Sequence, residues 1–155
     1  MTIDEEIKYH VEKSVLCWLA TSSTDGQPNV SPKEIFTYHK GKIIIANIAS
    51  PNSMKNIKDN PKVCVSFVDI LSQKGLQIKG VASIDDIESE EFDLLQNMAG
   101  ARFPVLNIIS VSIESSKPIL APSYLFYPDT SEEEQIKNAI KQYRITSSVE
   151  SKKPH

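Results

Sequence analysis

The chain has 155 residues, enough for one domain that buries its own core without disulfide or metal staples. Its 17 basic and 20 acidic residues leave a formal charge of -3 and lie interspersed. That pattern argues against a nucleic-acid partner, which would require a basic stripe. No apolar run approaches the roughly 20 residues of a membrane helix, and from the charged start MTIDEEIKYH no secretory leader is expected. Cys17 and Cys64 fall in apolar strand patterns and read as reduced core residues. A soluble cytoplasmic protein with no membrane partner is the expectation.

In chain order, Thr2 and Glu5 form a capping-box pattern, and Ile3, Ile7 and Val11 recur at helical spacing. They predict a helix over 3–13. Val15 to Ser22 is an apolar strand, bounded by the Asp25-Gly26 turn signal of a hairpin. The next strand, Asn29 to His39, carries Pro32 in its middle, which places that proline at an edge or bulge. Such an interruption leaves backbone groups free for a ligand; a bulge without further role is the plainer alternative.

Lys42 to Phe67 is the most organised stretch. Ile43-Ile44-Ile45-Ala46 is a continuous apolar run, expected for a strand covered on both faces. Ser50-Pro51 opens a helix and Asn60-Pro61 closes it, after which Val63 to Val68 returns as a strand. The helix start exposes unpaired N–H groups at its positive dipole end. With Asn52, the Ser53 hydroxyl and the Lys55 ammonium, it has the chemistry to hold a phosphate. Most capped helices bind nothing, so chemistry alone favours the plainer reading.

Gly75 to Ile84 alternates as a half-buried strand, with Leu76, Ile78, Ala82 and Ile84 on one face and Gln77, Lys79 and Ser83 on the other. Gly80 in its middle suggests a bulge. Glu88 to Ala101 is helical in period and ends at Gly100. Asn107 to Ile113 is a strand, followed by Lys117-Pro118 and a last extended run from Ile119 to Tyr127. Ser131 with Glu134 opens a terminal amphipathic helix, and 147–155 is polar and expected to be a disordered tail. One domain over 1–146 is predicted. It is mainly β, with six or seven antiparallel strands in a small barrel and short flanking helices.

Several chemistries lack their motifs. There is no Gly-rich dinucleotide fingerprint, phosphate-binding Walker loop, zinc-protease motif or Cys-x-x-Cys. The histidines, His10, His39 and His155, lie far apart in sequence, and the acidic clusters fall at helix starts, where the dipole explains them. A chain this poor in acid–base residues would leave any chemistry to a cofactor.

The order of VLCWLATSSTDGQPNVSPKEIF (15–36), KIIIANIASPNSMKNIKDNPKVCVSF (42–67) and GLQIKGVASI (75–84) resembles FMN-binding split-barrel proteins of the pyridoxamine 5′-phosphate oxidase-like superfamily. The resemblance covers the first half to two-thirds of the chain. It implies a homodimer with FMN bound at the subunit interface. The flavin phosphate would lie at Asn52 and Ser53, with Ser50 and Lys55 as weaker contributors. Ser31, Pro32, Lys33 and Glu34 would line the ring, Ala46 and Asn47 would run along it, and Gln77 and Lys79 would reach it. Trp18 is either a ring-packing residue or core. The function implied is a flavin-dependent oxidoreductase of unassigned substrate, the alternative being a non-enzymatic FMN carrier or electron-transfer protein. The C-terminal segment has only Arg144 where pyridoxamine 5′-phosphate oxidases proper carry an arginine- and histidine-bearing motif, so oxidation of vitamin B6 is not expected.

Overall fold

The computed structural model describes residues 1–146; the tail predicted at 147–155 lies outside them. Seven strands form one antiparallel sheet. They are β1 (Cys17–Ser22), β2 (Pro28–Lys33), β3 (Phe36–His39), β4 (Lys42–Asn47), β5 (Lys62–Asp69), β6 (Lys74–Asp85) and β7 (Asn107–Leu120). Their order across the sheet is β2-β1-β5-β6-β7-β4-β3. Five helices accompany them: α1 (Ile3–Lys13), α2 (Pro51–Asp59), α3 (Glu90–Ala99), α4 (Pro122–Phe126) and α5 (Glu132–Gln142).

The single strand expected over 29–39 is two strands, and they occupy opposite edges of the sheet. Only Glu34 and Ile35 separate them, so the chain itself ties one edge to the other and the sheet curls into a split barrel. The Ile35 carbonyl accepts from the Ala46 N–H at 2.9 Å, which fixes the crossing against β4. Pro32 sits in β2, an edge strand, where its missing N–H removes no ladder bond from a further neighbour.

The barrel interior is filled by Leu19, Ile43, Ile45, Val65, Phe67, Ile78 and Val111, with Ile7 and Val11 of α1 entering from one end. Ile44 and Ala46 point the other way, into a smaller cluster with Leu95 of α3 and Ile108. Strand β4 is therefore covered on both faces, as its unbroken apolar run requires. Met54 and Ile57 anchor α2 to the main core, and truncating Ile57 to alanine would cost roughly 2–5 kcal/mol.

Gly80 falls at a register shift in the β6–β7 ladder, and a Cβ there would lie 2.2 Å from the Ser112 carbonyl oxygen. The bulge expected at Gly80 is present, together with a close backbone approach. Two expectations near the C-terminus are corrected. Lys117-Pro118 does not interrupt β7, because β4 pairs only with residues 107–112 and leaves the outer half of β7 as a free edge. The run over 119–127 is not extended throughout. Pro122 opens α4, and the Tyr124 hydroxyl pins it by donating to the Ser72 carbonyl at 2.7 Å.

Candidate functional site

Alternation along β2 turns Asn29, Ser31 and Lys33 toward the body of the fold and leaves Val30 and Pro32 outside. That inward face meets the start of α2. The Asn29 amide donates to the Ser53 hydroxyl at 3.4 Å and to the Thr21 hydroxyl at 3.3 Å. Asn56 donates to the same Thr21 oxygen at 3.0 Å. Thr21 and Ser53 are both buried, so this network fixes where the helix begins relative to the strand.

Between the two elements lies an open cleft of about 200 Å³, whose walls include Asn29, Ser31, Pro32, Ser50, Asn52 and Ser53. The first backbone bond of α2 runs from the Met54 N–H to the Ser50 carbonyl at 3.1 Å. The preceding N–H groups, of Asn52 and Ser53, have no place in the helical ladder. Ser50 occupies the N-cap position, but its side chain makes no cap bond, and the first turn carries no acidic residue. Its hydroxyl instead accepts from the Lys33 ammonium.

Lys33 is only 6% exposed. Among the described residues it is in no ion pair. Burial lowers its pKa, the Cys17 thiolate being the one charge that would oppose the shift. Burial also pushes the Cys17 thiol up to about 12, so that thiol supplies no anion at neutral pH. The start of α2 thus joins an uncapped helix dipole to a buried ammonium whose charge is not balanced. Both favour an anion.

The residues singled out from sequence separate into groups. Ser31, Pro32, Ser50, Asn52 and Ser53 share the cleft, and Lys33 reaches it through Ser50. Glu34 is exposed in the crossing between β2 and β3. Lys55 lies on the exposed face of α2, where its charge is the smallest of the influences that hold the Asp25 carboxyl low, the hydrogen bond from Ser23 being the largest. Ala46 packs beneath α3. Asn47 is buried at the end of β4, its amide donating to Asn107 Oδ1 at 2.8 Å while its own Oδ1 lacks a partner.

Gln77 and Lys79 lie away from this cleft. Lys79 borders a separate open hollow with Ala20, Lys62, Cys64 and Glu114, and Gln77 borders another with Lys117 and Leu125. Sequence reasoning missed Asn29 and Thr21, and Ala49, which also lines the cleft. The available signal was the period-two pattern of β2, which puts Asn29 on the same face as Ser31 and Lys33.

Comparison with known proteins places this geometry. No curated protein matches the sequence. Among solved structures, Group A Streptococcus HupZ is 26% identical with a TM-score of 0.64, over 74% of this chain and 92% of that one. An FMN-binding protein from Syntrophomonas wolfei subsp. wolfei is 18% identical with a TM-score of 0.66, over 76% of this chain and 86% of that one. General Stress Protein 26 from Bacillus anthracis is 19% identical with a TM-score of 0.61, over 77% and 95%. The last two likenesses establish the fold alone. The family described as pyridoxamine 5′-phosphate oxidase matches residues 3–121, most of the chain. This chain belongs to the pyridoxamine 5′-phosphate oxidase family, on a split-barrel fold.

Proposed function

We propose that the chain is a flavoprotein that holds FMN between β2 and the start of α2, and that it serves as a flavin-dependent oxidoreductase. The observation that carries this reading is Lys33, an ammonium buried without a counter-charge beside an uncapped helix start. A phosphate on the Asn52 and Ser53 N–H groups would supply the missing negative charge. Family membership and the FMN-binding neighbour favour FMN among phosphate-bearing ligands.

The residues present fit the rest of the cofactor. The rim of β2 offers apolar Pro32 and Val30 beside polar Ser31, and the start of α2 offers Asn52 and Ser53. When bound, FMN would accept and return electrons or hydride; the chain would hold the phosphate, orient the ring and exclude water. A cleft of about 200 Å³ is smaller than the roughly 300–1,000 Å³ usual for cofactor sites, so one chain supplies only part of the walls. On its wall Val30 is 60% exposed, and Trp18, paired with Pro32 across β1 and β2, is 46% exposed. A second copy covering these side chains would complete the site, which makes a homodimer part of the reading. Gln77 and Lys79, away from this cleft, would contribute across that interface.

The test is a visible spectrum and thermal melt of the purified protein with and without FMN, combined with its mass in solution. A flavin spectrum, a raised melting temperature and a dimeric mass are expected. A colourless protein that FMN neither binds nor stabilises overturns the reading.

One observation favours a second reading, a non-enzymatic FMN carrier or electron-transfer protein. None of the residues lining the cleft is titratable at neutral pH. Turnover with NADH or NADPH and a panel of acceptors separates the two, since a carrier binds flavin without turning over. No helix among the described residues is long and apolar enough to cross a membrane.

A further inference from the structure

At the opposite edge of the sheet from the cleft, the end of β3 meets the start of α3. His39 comes from the strand, and Glu90 and Glu91 come from the first turn of the helix. One ligand atom from each residue lies within 4.8 Å of the others. The His39 Nε2 atom is buried and makes no hydrogen bond, although Glu91 Oε1 stands 3.7 Å away.

That spacing is informative. A charge-assisted bond between an imidazolium and a carboxylate closes to about 2.7–2.9 Å. Two ligands of one tetrahedral ion, each bonded at about 2.1 Å, stand about 3.4 Å apart. The His39–Glu91 separation is nearer the second distance. The His39 nitrogen has no hydrogen-bond partner, and the Glu91 carboxylate meets it only at long ion-pair range.

We propose that His39, Glu90 and Glu91 bind a divalent transition-metal ion, of which zinc is the type, and that the ion clamps the end of β3 to the start of α3. One imidazole and two carboxylates form a donor set suited to zinc and its neighbours, and poorly suited to magnesium or calcium, which prefer all-oxygen sites. Water fills the remaining position. The site shares no residue with the FMN cleft and stands or falls independently of it. It has a built-in competitor. The Lys40 ammonium holds Glu90 Oε2 at 2.6 Å, so the ion must displace it.

This competition supplies the decisive test. Untagged full-length protein is stripped of metal and titrated with zinc chloride by calorimetry, with thermal melts in parallel. Saturable binding of one ion per chain and a raised melting temperature are expected. His39→Ala and Glu91→Gln should each weaken binding by about ten-fold or more. Lys40→Ala, a surface change that leaves the fold intact, should strengthen it several-fold by freeing Glu90. A double variant, His10→Ala with His155→Ala, should bind as the parent does. Absence of binding, loss in the double variant, or weaker binding by Lys40→Ala overturns the proposal.

Discussion

The helix starts of this protein are built in two ways. Helices α1, α3 and α5 begin with Thr2, Ser89 and Ser131, whose side chains accept from the backbone N–H of Glu5, Phe92 and Glu134. Each carries three acidic residues in its first turn. Their orphan donors and positive dipole ends are satisfied from within. Helix α2 has neither device; the five-residue α4 lacks both as well, and what sets α2 apart is the buried ammonium beside it. Its Ser50 hydroxyl is turned to Lys33, no acidic residue follows, and a near-buried ammonium adds positive charge. A capped helix start satisfies its own backbone donors, whereas the start of α2 leaves its donors and its charge to a partner. This contrast, more than any single residue, motivates the anion site.

The sharpest way to break the contrast is to make α2 resemble the others. Ser53→Asp places a carboxylate where the phosphate is proposed, and FMN affinity should fall on the order of 100-fold by fluorescence titration. Ser53→Ala should change it only a few-fold, with circular dichroism confirming the fold of both. Unchanged affinity in the aspartate variant would mean the cofactor lies elsewhere.

Removing the charge comes next. Lys33→Met should lower FMN affinity by about ten-fold. The same substitution should raise the urea midpoint of the flavin-free protein, because it removes a buried ammonium with no counter-charge. Opposite signs on binding and stability are what an unfilled anion site requires; a fall in both would recast Lys33 as structural.

The caps allow a finer comparison. Ser89→Ala and Ser131→Ala should each cost about 1 kcal/mol of stability, measured by denaturation, with no effect on flavin binding. Ser50→Ala loses no cap bond and should cost less than half as much, yet it should weaken FMN binding by releasing the Lys33 ammonium.

The smallest effect is on pH dependence. Burial places the Lys33 pKa below its ordinary 10.5, so the folded chain holds fewer protons there than the unfolded chain as pH approaches that value from below. The penalty for the buried charge is fully present at lower pH and fades as pH rises through the lowered pKa. The parent should therefore gain stability relative to Lys33→Met across that alkaline window, and FMN should flatten the difference. Parallel curves for parent and variant would show that Lys33 is not held under strain of charge.

Local chemistry made much of the molecule legible from its sequence. The Thr2–Glu5 box, the Ser50-Pro51 opening, the Asn60-Pro61 stop, the Asp25-Gly26 turn and the bulge at Gly80 each act over a few residues and each stands where expected, although the strand after the turn ends at Lys33. The β4 run announced its burial on both faces because no other environment tolerates four consecutive apolar residues in a strand. What required the tertiary structure depends on which strands become neighbours. Only the sheet order decides that residues 29–39 split between two edges, that Pro118 rests on a free edge, and that residues 122–126 turn helical against Ser72. The same order buries Lys33 beside Ser50, 17 positions along the chain, and sets His39 against Glu90 and Glu91. Periodicity records which face of an element is apolar, but not which other element covers it. The charges that matter here acquire their meaning from that second fact.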